Sequence, residues 1–152
     1  MLKHARVWFV LADGARARIL DYRMGREGRF EEITREESED VQRRARQRAN
    51  DLSGRNFMNS PDTRHTAGSR NDPHAQAKIR FEHQIAHLVN QAAARNAFDA
   101  LVIVAPPHTI GTLRQALCAA AKERLLRQAT GDLLGMPDPP LFDRLSAMLR
   151  PG

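Results

Sequence analysis

The chain has almost nothing that could cross-link it. Cys118 is the only cysteine among 152 residues, so no disulfide forms within the chain, which fits a reducing compartment. No apolar run approaches the roughly 20 residues that a membrane-spanning helix needs. The run Val7 to Ala12 follows Lys3, His4 and Arg6 and is broken at Asp13. Export signals carry about seven to fifteen apolar residues, so this run reads as a buried strand. The expected location is the cytoplasm, with no membrane partner. Lysine is scarce: Lys3, Lys78 and Lys122 are the only three among 24 basic residues, the rest being arginine. No Walker-type phosphate loop, no G-x-G-x-x-G and no G-x-S-x-G occurs. That removes the usual signatures of nucleotide hydrolysis, dinucleotide binding and the serine nucleophile elbow, and no cofactor is implied.

What is present fits one domain over residues 1–152. A chain of this length buries about 68–70% of its unfolded surface without staples. The net charge is +6 and the sequence pI about 10.6. Such charge favours nucleic acid or another anionic surface. Arginine and alanine enrichment together is equally what a biased codon usage would leave.

The periodicities give an element order. Val7 to Ala12 is a strand buried on both faces. Asp13-Gly14 is a hairpin signal, Arg16 to Tyr22 the returning strand, and Phe30 to Arg35 a third, charged strand. Residues 40–71 read as a long basic loop, in which Arg43, Arg44, Arg46 and Arg48 start a short helix. Asp72 and Pro73 open a helix with Phe81, Ile85, Leu88, Val89 and Ala92 on one face. Ala100 to Ala105 is a second buried strand. Thr109 is placed to cap the next helix, Leu125 to Ala129 is a last strand, and Pro139-Pro140 opens a terminal helix. The expected fold is α/β: a five-stranded mixed sheet of order 3-2-1-4-5, with helices packed on it and a long loop after the third strand.

Three places could carry chemistry. Strands one and four, if parallel neighbours, bring Asp13 and His108 to one rim, where open α/β sheets form sites. An Asp-oriented His would be a general base. The structural reading is that Asp13 serves its turn and His108 precedes a helix. The backbone of Thr109, Ile110 and Gly111 at that helix start is a candidate anion site. His83 and His87, four apart, could grip a metal, but Gln84 stands where a zinc-protease pattern needs Glu and no third ligand is evident, so no metal is assigned. Cys118, in an alanine-rich stretch, reads as a buried structural thiol.

The stretch from Val10 to Ile19 resembles the opening hairpin of the bacterial host-attachment protein family. Gly54-Arg55, Arg64-His65 and Asp72-Pro73-His74 are similar to its loop and helix start. Val104-Ala105-Pro106-Pro107, with Gly111, Leu113 and Arg114, is similar to its strand-to-helix turn. The resemblance spans nearly the whole chain. It implies a fold like that of the middle domain of archaeal and eukaryotic peptide-release factors, in a ribonuclease-H-like arrangement. The Gly-Gly-Gln tip of those factors is missing: the corresponding loop holds Asn59 to His65.

Three functions follow. The first is an RNA- or ribosome-associated binding module whose contacts are Arg43, Arg44, Arg46, Arg48, Arg55, Arg64, His65 and Arg70. The second is a hydrolase using Asp13 and His108, or Arg64-His65. The third is an interaction protein acting indirectly in attachment to host cells. A long polar loop that does not serve the core favours the first.

Overall fold

The two apolar six-residue runs set the architecture. The structure, a computed structural model, describes residues 5–25, 28–54 and 72–150. In it β1 (Arg6–Ala12) and β4 (Ala100–Ala105) lie side by side and parallel, Val7 opposite Ala100 and Leu11 opposite Val104. Both are buried nearly throughout, as strands covered on both faces must be. β2 (Arg16–Arg23) returns antiparallel to β1, and β3 (Arg29–Glu37) runs antiparallel to β2. β5 (Leu125–Thr130) runs parallel to β4. The sheet order is β3-β2-β1-β4-β5, the mixed sheet that the sequence implies.

Residues from Asp40 onward are helical where a loop with only a short helix is expected. α1 (Glu39–Gly54) is a 16-residue helix. Its start is well specified. The Ser38 hydroxyl accepts the Val41 N–H at 3.1 Å, a helix cap, and Glu39 and Asp40 place negative charge in the first turn, where the helix dipole favours it. Asp40 then pairs with Arg43 and Arg44 one turn on, and Val41 is buried. The composition hides this helix because, among its described side chains, Val41 alone is buried in the core. Residues 55–71, with Arg55, Arg64, His65 and Arg70, lie outside the described residues.

α2 (Pro73–Ala94) starts as its sequence dictates: Asp72 caps it, accepting the His74 N–H at 3.0 Å, and Pro73 takes the first position. The chain turns away from it at Asn96, whose φ of 57° is the left-handed conformation that asparagine tolerates. Arg124 secures that end by donating to the carbonyls of Ala93 and Phe98 and to Asn96 Oδ1.

The following helix differs from expectation in two ways. α3 (Pro107–Ala116) begins at Pro106-Pro107, so Thr109 lies inside the first turn and does not cap it. Proline is suited to this position because its missing N–H would be unsatisfied there anyway. The helix then breaks at Leu117-Cys118 before α4 (Ala119–Glu123). Asn90 holds the break, donating to the Ala116 carbonyl at 3.0 Å and accepting the Cys118 N–H at 2.8 Å. The break turns Cys118 outward, so the thiol is exposed, not buried. α5 (Asp138–Ala147) closes the fold.

The sheet divides the core into two layers. One face, with Trp8, Val10, Ile19, Leu101 and Ile103, packs on Phe81, Ile85 and Val89 of α2 and on Ile110 and Leu113 of α3. The other face, with Phe9, Leu11, Leu20 and Val102, packs on Leu141 and Leu145 of α5. Arg18 is pinned on that second side, only 5% exposed, with Nε at 2.6 Å from Glu32 and Nη1 at 3.0 Å from Asp138. Burial alone would raise the Glu32 carboxyl and lower the Arg18 guanidinium. Their hydrogen bonds outweigh burial, leaving Glu32 below and Arg18 above its ordinary value. β2, β3 and α5 are thereby tied together.

Candidate functional site

The carboxyl ends of β1 and β4 share one rim, where the side chains of Asp13 and Thr109 are already engaged. Asp13 Oδ1 accepts the N–H groups of Ala15 (3.0 Å) and Arg16 (2.8 Å), and Oδ2 lies 3.4 Å from the Arg16 guanidinium. The turn is centred on Gly14 and Ala15, with Asp13 and Arg16 closing it through an N–H to carbonyl bond of 3.1 Å. Gly14 has φ 89°, a conformation that suits glycine. His108 is exposed, and its carbonyl accepts the Thr112 hydroxyl at 3.3 Å. No hydrogen bond joins Asp13 to His108 among the described residues. At the start of α3, the Ile110 N–H is taken by the Pro106 carbonyl at 3.0 Å and the Thr109 hydroxyl points at another carboxylate.

That carboxylate is Glu82 of α2. It is 1% exposed, and Thr109 is 4% exposed. The Thr109 hydroxyl donates to Glu82 Oε2 at 2.7 Å, whereas Oε1 is buried without a hydrogen-bond partner. A buried carboxylate with one idle oxygen is costly and calls for a purpose. The same corner holds Gly14 and Lys78: a β-carbon on Gly14 would lie 3.5 Å from Glu82 Oε2 and 3.6 Å from Lys78 Cδ. Two turns earlier on α2, the His74 Nδ1 is also buried and unpartnered. Burial, with help from Lys78, Arg48 and Arg44 and against the pull of Asp72, holds this imidazole below its ordinary value.

The arginines of α1 form a second, surface grouping. Asp40 is the hub: Arg43, Arg44 and Arg80 reach it at 2.8, 2.9 and 2.9 Å. The Arg80 hydrogen bond is the leading reason that the Asp40 carboxyl sits below its ordinary value. One carboxylate faces three guanidiniums, so the patch is net positive. Arg43 and Arg80 are mostly exposed, Arg48 stands 3.8 Å from Asp72, and Arg46 is exposed. Beyond Arg80, an open groove of ≈ 680 Å³ runs along α2, lined by Glu36, His83, Gln84, His87 and Leu88 among others. His83 and His87 are exposed, and no cluster of three His, Cys, Asp or Glu is placed to hold a metal among the described residues.

Sequence reasoning missed Glu82, Lys78, His74 and Arg80. A signal for Glu82 was available. It shares the buried stripe of Ala86, Val89 and Ala93, and a charged residue inside an apolar helical stripe marks either a paired charge or a site. The role of Arg80 depends on α1 being a helix beside α2, which no local pattern announces.

The architecture is an α/β sandwich around a mixed sheet, with its β1/β4 rim and an arginine face on α1. Among solved structures, 16 chains match it. One is an archaeal translation termination factor, similar at a TM-score of 0.50 and 10% identity, with 94% of this chain and 39% of that one covered. At that identity the likeness is one of fold, and the chain spans well under half of the factor's length. The model of the family described as "protein required for attachment to host cells" matches residues 8–145. The chain belongs to that family. A search of curated proteins finds no match. No helix among the described residues is long and apolar enough to cross a membrane.

Proposed function

We propose that the chain is a cytoplasmic RNA-binding module that works on or near the ribosome, with the α1 arginine face as its contact surface. The observation that carries this reading is the convergence of Arg43, Arg44 and Arg80 on one carboxylate, Asp40, with Arg46 exposed one turn on from Arg43 and Arg48 one turn on from Arg44 beside Asp72. Exposed ion pairs of this kind are worth little, so a phosphate can replace Asp40 as the partner of Arg43 or Arg80 at small cost. Guanidinium forks match phosphate oxygens in pairs. The likeness in fold to a translation termination factor supports the ribosome as the setting. The family's attachment phenotype then follows indirectly, through gene expression inside the cell. Arg55, Arg64, His65 and Arg70, which lie outside the described residues, are further RNA contacts in this reading.

The test is co-sedimentation of the purified protein with ribosomes across a salt series. Binding that weakens steeply with salt and falls further in an Arg43→Glu/Arg46→Glu variant supports the reading. Absence of co-sedimentation at low salt, with no binding to RNA, ends it.

A further inference from the structure

A stripe on α2 carries two idle polar atoms that the RNA surface does not use. His74, Lys78 and Glu82 follow one another at four-residue spacing, so they lie along one line of the helix with about 5–6 Å between successive Cβ atoms. Both ends are chemically unfinished. Glu82 is 1% exposed with Oε1 unpartnered, and His74 Nδ1 is buried and unpartnered. Lys78 between them makes no ion pair among the described residues, although its stem reaches the Gly14 corner beside Glu82.

The two ends differ in charge. Around His74 stand Lys78, Arg48 and Arg44, against Asp72, whose carboxylate already caps the α2 start. That end suits an anion with several oxygens. Around Glu82 stand Thr109, whose hydroxyl is already given to Oε2, and the Gly14 corner, where the Lys78 stem lies beside Oε2. That end offers one acceptor, Oε1, and suits a hydroxyl donor. The methylene stem of Lys78 shares the Gly14 corner with Glu82 Oε2; it is flexible and can swing aside to bring its ammonium onto the anion.

We propose that this stripe is a binding site for a phosphorylated sugar with free hydroxyls: the phosphate between Arg48, His74 and Lys78, and a sugar hydroxyl donating to Glu82 Oε1. Lys78 stands one helical turn from each end, and its stem gives way as the sugar enters. A carboxylate accepting ribose hydroxyls is a recurrent device in nucleotide recognition. The group could come from a free nucleotide or from the phosphorylated end of an RNA; the site shares only Arg48 with the α1 face and stands whether or not that face meets RNA.

The test uses the full chain and titrates ribose 5-phosphate, inorganic phosphate and a 5′-phosphorylated oligoribonucleotide, read by amide chemical shifts of Gly14, Lys78 and Glu82. Ribose 5-phosphate is expected to bind more tightly than inorganic phosphate. Glu82→Gln should weaken the sugar phosphate about tenfold or more, the loss of a hydrogen bond to a charged group, while inorganic phosphate changes less than about twofold. Lys78→Met should weaken both. Thermal unfolding of each variant separates loss of binding from loss of fold, and Lys78→Met, on a half-exposed side chain, serves where Glu82→Gln fails to fold. Tighter binding of the oligonucleotide than of ribose 5-phosphate assigns the site to an RNA end, and equal binding assigns it to free nucleotides. Equal affinity for inorganic phosphate and ribose 5-phosphate, no binding of either, or indifference to Lys78→Met overturns the proposal. Ribosome co-sedimentation that persists in Lys78→Met but fails in Arg43→Glu/Arg46→Glu keeps this site distinct from the arginine face.

Discussion

The Thr109 hydroxyl donates a 2.7 Å hydrogen bond to Glu82 Oε2 across the join between α3 and α2. It is the only hydrogen bond to that buried carboxylate among the described residues, and it links the turn after β4 to the long helix over the sheet. Thr109→Val keeps the shape and leaves the carboxylate unpaired. It should cost about 1–3 kcal/mol, the penalty for orphaning a buried polar group. Urea unfolding measures it. A double variant, Glu82→Leu with Thr109→Val, should recover most of that loss, because removing both partners is close to neutral.

The α1 arginine face makes a prediction about salt. Arg43→Glu and Arg46→Glu touch no core residue, so unfolding free energies should stay within about 0.5 kcal/mol of the parent. Affinity for single-stranded RNA should fall, and the slope of log affinity against log salt should shrink by about 0.7 for each phosphate that is no longer neutralised. Filter binding at several salt concentrations reads both quantities. An unchanged slope would remove these two residues from the interface.

His74 ties stability to pH. Burial and the neighbouring cations hold its imidazole below the ordinary value, so the unfolded chain binds that proton more readily than the folded one. The contribution is fully present above about pH 6.5, the unfolded value, and is lost as pH falls through the depressed folded value. His74→Gln should therefore flatten the decline in stability just below about pH 6.5. Thermal melts across that range, compared with the parent, check the sign. An anion bound at the same place would raise the imidazole, so the acid loss should be smaller in phosphate than in a buffer without it.

Arg18 makes the corresponding prediction for the opposite face. Its guanidinium is nearly buried, while Glu32 and Asp138 retain 35% and 51% exposure, so those carboxylates can return to water when it is removed. Arg18→Met should cost about 2 kcal/mol, less than the loss of one partner from a fully buried pair. Glu32 lies below its ordinary value, so the part of this stability that it carries is present above the ordinary carboxylate range and disappears as pH drops through its depressed value. Denaturant curves at neutral and at acid pH should show the variant and the parent converging in acid.

The sheet was legible because its information is local. Val7 to Ala12 and Ala100 to Ala105 are unbroken apolar runs, and such runs have few places to go other than the middle of a sheet. Asp72-Pro73 wrote the start of α2 in two letters. The α1 helix was hard to read because Val41 is its only buried side chain in the described core, leaving no stripe to count. The capping role expected of Thr109 failed because Pro106-Pro107 claims the helix start three residues earlier. The burial expected of Cys118 failed because alanines at 116, 119, 120 and 121 give a helix no preferred face, and Asn90 on a distant element decides where the chain bends. The candidate site was least legible. Glu82, Lys78, Gly14 and Thr109 come from three segments, and their meeting depends on the parallel pairing of β1 with β4.

That pairing also governs how the molecule is made. During synthesis the β1–β2 hairpin emerges early, yet the neighbour on the other side of β1 cannot arrive until everything through Ala105 has been translated. Until then Phe9, Leu11 and the rest of that greasy ribbon have a raw edge, and chains dominated by such distant pairings fold slowly. The nascent polypeptide should consequently depend on holding chaperones, and truncation anywhere before β4 should yield aggregates in place of a smaller native core.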